Sequence, residues 1–142
     1  MLKDLLLTPD RRKVADDIVN TIMIVVGTRP EIIKMAPIVR ALKRNDLPFI
    51  FVHCGQHYDY NMSQQFIEEL ELPNPNYSYK VKAYSQGAQT AQIINHMERL
   101  LKKTVPKLLL LEGDTNGVLS TALAAIKLGI TVGHVEAGLR SF

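Results

Sequence analysis

Apolar residues gather in short unbroken runs at Ile22–Val26, Phe49–Cys54, Leu108–Leu111 and Ile130–Val135, with a weaker run at Tyr77–Val81. Runs of that length, rich in Val, Ile or Leu and without polar alternation, predict strands buried on both faces. Between them, Pro30–Arg44, Met62–Leu70, Gly87–Lys103 and Asn116–Leu128 carry helical spacing. In the third of these, Ala91, Ile94, Met97 and Leu101 predict one buried stripe. The implied order is β-α-β-α-β-α-β-α-β. Parallel neighbours need a crossover and helices supply it, so the fold class is α/β, a doubly wound parallel sheet in a three-layer α/β/α arrangement. Pro9–Asn20 adds a leading helix, so residues 1–20 form an extension and residues 21–142 the domain.

Composition narrows the choice of partner. With 142 residues, 46% of them hydrophobic, the chain has material for one core. Its 17 basic and 14 acidic residues leave a formal charge of +3, which suits an anionic small molecule and is too weak to argue for nucleic acid. No apolar run is long enough to span a membrane. The amino terminus turns charged after Leu5–Leu7, unlike a secretory signal. A single cysteine, Cys54, rules out a disulfide framework or a cysteine-based zinc site and fits a reducing, cytoplasmic location. No metal is expected.

The chemistry concentrates at the strand ends, where open α/β sheets bind ligands beside helix N-termini. "GTRPEIIK", residues 27–34, follows the first run directly. Gly27 permits a tight turn or a close approach, Thr28 and Glu31 form a capping box, and Pro30 suits the first helical turn. Arg29 and Lys34 are left over. Cations near a helix N-terminus oppose its dipole, so they are either solvated charges or the binding site of an anion. The glycine-rich fingerprints of dinucleotide and ATP sites are absent. The fourth run ends at "EGDTN" and the fifth at "HVEAGLRSF", placing Asp114 and Glu136 just past buried strands. Asp114 reads equally well as a helix cap, whereas Glu136 has no helix to cap. Glu112 reads as a strand-end charge and His134 as a satisfied core histidine. Gln56 and His57, in "HCGQHYDYN", offer neutral groups for sugar hydroxyls or amides.

Four segments in order, "GTRPEIIKMAP", "GQHYD", "GDTN" and "GHVEAGLRSF", resemble the amino-terminal part of the non-hydrolysing UDP-N-acetylglucosamine 2-epimerases, most of all their archaeal-type members. The resemblance implies a Rossmann-like first domain of the glycosyltransferase-B type, with the substrate between it and a second domain. It implies interconversion of UDP-GlcNAc and UDP-ManNAc by elimination and re-addition of UDP, with no cofactor. Asp114 and Glu136 would then be catalytic carboxylates, Arg29 and Lys34 would contact the nucleotide, and Gln56 and His57 would lie near the sugar or an effector. The family pattern continues past Phe142 into a further glutamate-containing segment and the second domain. An amino-terminal fragment or split subunit is therefore expected, with a UDP-sugar as ligand and a homo-oligomer or a separate carboxyl-terminal chain as partner. A noncatalytic UDP-sugar-binding module and a half-domain of a glycosyltransferase are the alternatives.

Overall fold

Strands β1 (Ile22–Val26), β2 (Phe49–Gln56), β3 (Tyr77–Val81), β4 (Leu108–Glu112) and β5 (Thr131–Val135) form one parallel sheet in the order β3-β2-β1-β4-β5. The computed structural model describes residues 20–56, 60–82 and 85–140. Four helices connect the strands: α1 (Arg29–Arg44), α2 (Tyr60–Glu69), α3 (Gln86–Thr104) and α4 (Asn116–Lys127). The expected doubly wound α/β architecture is present. The leading helix expected over Pro9–Asn20 lies outside the described residues apart from Asn20.

The period of two along each strand divides the core. Met23 and Val25 of β1 pack with Val52, Met97, Leu101, Leu109 and Leu111 on the α3/α4 side. Ile24 and Val26 face the other way, against Ile32, Met35, Val39 and Phe51 beneath α1 and α2. Register places Ile22 opposite both Phe49 and Leu108, so β1 lies at the centre with its carboxyl end level with that of β4, while β2 continues past His53, the partner of Val26, to Gln56. The strand order reverses beside β1, and the crevice between the β1 and β4 ends is the topological switch point where such sheets bind ligands.

Three expectations need correction. The buried stripe of α3 runs through Gln89, Ile93, Met97, Leu100, Leu101 and Thr104, while Ala91 is exposed and Ile94 half-buried. The inward face was obscured because two of its members are polar and satisfied: Gln89 accepts from Asn116, and the Thr104 hydroxyl donates to the Leu100 carbonyl at 2.8 Å. The outer strands are not buried on both faces. β5 is at most half-buried throughout, since it forms the sheet edge among the described residues, and β3 alternates for the same reason. His134 is consequently exposed rather than a core residue. Its ring is nonetheless satisfied, because Nε2–H donates to the Gly113 carbonyl at 2.7 Å.

Candidate active site at the switch point

The turn from β1 into α1 forms as its residues dictate. Thr28 is the N-cap, Pro30 occupies the first turn, and Glu31 reaches back to the backbone. Glu31 also does something its spacing does not reveal. One carboxylate oxygen accepts from the N–H groups of Gly27 at 2.5 Å and Thr28 at 3.2 Å, and the other accepts from the Thr115 hydroxyl at 2.8 Å. The capping residue of α1 thus staples the β1–α1 turn to the β4–α4 turn, although it is buried. Gly27 is required by packing: a Cβ there would lie 2.4 Å from the Cys54 carbonyl oxygen.

Lys34 lies one turn further along α1. Its ammonium donates to Glu136 Oε2 at 2.6 Å and to Glu112 Oε1 at 3.0 Å. These two bonds, Glu136 foremost, hold the amine protonated well above the ordinary lysine range. The carboxylates arrive together because β4 and β5 pair with Glu112 opposite Val135, which brings Glu136 just beyond the last rung. Glu136 has a left-handed backbone, φ +61°, and closes a turn in which its carbonyl accepts from Leu139 N–H. Such a conformation costs a non-glycine residue about 1–2 kcal/mol and recurs where a side chain must be aimed.

Asp114 is exposed, and it is not the cap of α4. Thr115 takes that position, its side chain accepting from Val118 N–H. The carboxylate of Asp114 therefore stands at the switch point with no partner among the described residues. Arg29 is exposed at the first position of α1, its guanidinium 4.2 Å from the centroid of the Phe66 ring, where stacking orients it, and it has no ion-pair partner among the described residues. Gln56 ends β2, and His57 lies outside the described residues.

Two features escaped the sequence reading. Glu112, taken for a strand-end charge, is buried and ion-paired. On the α3/α4 side of the sheet, a hollow of about 280 Å³ opens between the strand ends and the starts of those helices, where Gln86, Gln89 and Asn116 form an amide cluster. Gln86 and Gln89 carry no motif, and Asn116 enters only as the last residue of "GDTN". Only the topology makes the starts of α3 and α4 neighbours.

The Cys54 thiol beside this hollow is pushed up to about 12, first by burial and then by the charge of Glu31. It stays protonated and is no nucleophile at neutral pH. Iodoacetamide at pH 8 is expected to leave Cys54 unlabelled in the folded chain and to label it fully in urea, as read by mass spectrometry. Rapid labelling of folded protein would contradict this environment.

The UDP-N-acetylglucosamine 2-epimerase family model matches residues 40–142. The UDP-N-acetylglucosamine 2-epimerase of Methanocaldococcus jannaschii is 49% identical over 119 residues, 84% of this chain and 32% of that protein. A Pseudomonas aeruginosa UDP-2,3-diacetamido-2,3-dideoxy-D-glucuronate 2-epimerase is 40% identical over 85% of this chain and 34% of its own length. The crystal structure of the M. jannaschii enzyme with UDP-GlcNAc and UDP superposes with a TM-score of 0.80 at 48% identity, covering 86% of this chain and 34% of that one. The chain thus spans about a third of the length of these relatives. With that share of the sequence and the fold in common, the chain belongs to the UDP-N-acetylglucosamine 2-epimerase family.

Proposed function

We propose that this chain supplies the carboxylate-bearing wall of a UDP-N-acetylglucosamine 2-epimerase that interconverts UDP-GlcNAc and UDP-ManNAc. The observation that carries the reading is the placement of Lys34 against Glu136 at the switch point, with Asp114 on the turn after β4 unpaired among the described residues. Inverting C2 of a UDP-sugar requires removal of a weakly acidic C–H and departure of UDP from C1. The first step needs a positioned base, and the second needs positive charge to receive the diphosphate. Asp114 and Glu136 fill the acid/base roles. Arg29 and the open side of Lys34 face the diphosphate, and the roles assigned to Gln56 and His57, contacts to the sugar or an effector, rest on the motif resemblance alone. Protonation of the enol-ether carbon of the 2-acetamidoglucal from the other face, with return of UDP to C1, completes the inversion. No step consumes an oxidant or reductant, so no cofactor is called for.

Under this reading the exposed side chains of Leu119, Leu123 and Ile126, which share one face of α4, are covered by a second copy or by the remaining part of the enzyme. No described helix is long and apolar enough to cross a membrane, which is compatible with the cytoplasmic location proposed here for a nucleotide-sugar enzyme.

The test is a chimera in which this chain replaces the matching third of the M. jannaschii relative. It is expected to convert UDP-GlcNAc, with C2–H exchange in D2O followed by proton NMR. Asp114→Asn and Glu136→Gln should each lower that rate by roughly 100-fold or more, the scale of a general acid or base. A folded chimera without exchange, or one indifferent to both substitutions, would overturn the proposal.

A further inference from the structure

We propose that Glu112 is a positioning residue of this site: its buried carboxylate anchors the Lys34 ammonium from the protein side, and the anchored ammonium holds Glu136 at the rim. The inference rests on the reading above and adds a residue to it. The two acceptors of Lys34 differ in kind. The Glu112 side chain is 4% exposed and that of Glu136 is 38% exposed, so one belongs to the sheet and the other to the crevice. Glu112 is the last residue of β4, where pairing with Val135 of β5 fixes its backbone. Lys34 has a flexible stem and no fixed geometry of its own.

A carboxylate this deep is tolerated when a cation meets it, and Lys34 is the cation 3.0 Å away. Oε2 of Glu112 has no hydrogen-bond partner, so the interaction with Lys34 is the one that compensates the buried charge among the described residues. An ammonium carries three N–H donors. Glu112 and Glu136 take two, and the third is left for the open side of a group that is 44% exposed. The line from Glu112 through Lys34 to Glu136 thereby transmits the rigidity of the sheet to a rim carboxylate whose own support is a short turn.

The test reads Lys34 directly in the ligand-free 142-residue chain, through its side-chain 15N ammonium signal and the splitting of its two Cε protons. Glu112→Gln keeps the volume and an acceptor, so the fold is retained, while the charge is lost. Exchange of the Lys34 ammonium protons with water is expected to quicken about fivefold or more, as an ion-paired bond becomes one to a neutral acceptor, and the Cε splitting should collapse. Glu112→Asp should restore part of both effects. Should the Gln variant fold poorly, the Asp variant read against wild type shows the same weakening in smaller measure. A Lys34 signal unchanged in the Gln variant, even with altered thermal stability, would mean a purely structural charge and would overturn the proposal. UDP is then added to the wild-type chain. No response at Lys34 or Arg29 would count against the nucleotide-sugar reading and leave the anchoring role of Glu112 standing.

Discussion

Glu31→Ala is expected to destabilise the chain by about 3 kcal/mol, because it strands donors that the carboxylate now satisfies. Gly27 N–H, Thr28 N–H and the Thr115 hydroxyl all converge on one buried side chain. Alanine offers them nothing, and each buried donor left unpaired costs about 1–3 kcal/mol. Glu31→Gln should be milder, about 1 kcal/mol, since its carbonyl can keep the backbone donors while its amide turns to Thr115 Oγ1. Urea denaturation of the three proteins separates these cases. Equal midpoints for wild type and the alanine variant would show that the staple between the turns is not holding them. The effect should also reach the site, because Asp114 sits beside Thr115 on the stapled turn.

Gly27→Ala should be of similar size, about 2–3 kcal/mol, for a steric reason. The added Cβ would stand 2.4 Å from the Cys54 carbonyl oxygen, and that oxygen belongs to the backbone of β2, which cannot rotate away. Relief requires β1 and β2 to separate at their carboxyl ends, one of which borders the crevice. Gly133→Ala is the informative comparison. Its Cβ would come 2.8 Å from Leu110 Cδ2, the far end of a side chain that can change rotamer. A loss below about 1 kcal/mol is expected there. If Gly27→Ala proved as mild as Gly133→Ala, the close approach of the two strand ends would not be a constraint on this position.

Much of the molecule was legible in one dimension. β1, β3 and the capping box of α1 stand at the residues the pattern predicts, because a strand and a helix start are set by neighbours a few positions away. The stripe of α3 was misread because Gln89 and Thr104 are polar yet inward, and the partners that make this possible are Asn116 and a backbone carbonyl. His134 was misread because an apolar strand says nothing about whether its sheet continues beyond it. Asp114 and Thr115 show the limit of cap prediction: both are good caps, and the backbone chose the second.

The sequence alone determined the alternation of strands and helices, the kinship carried by the four motifs, and the presence of two cations and two carboxylates at strand ends. Tertiary structure decided which of those charges meet. Lys34 and Glu136 are 102 positions apart, and Lys34 and Glu112 are 78 apart. Their contact exists because strand order places β4 and β5 together beside the start of α1. It also decided that Glu112 is an interior anion and Glu31 a bridge between turns. Burial of a charge depends on what packs over it, and in a doubly wound sheet that cover comes from segments far away in the chain.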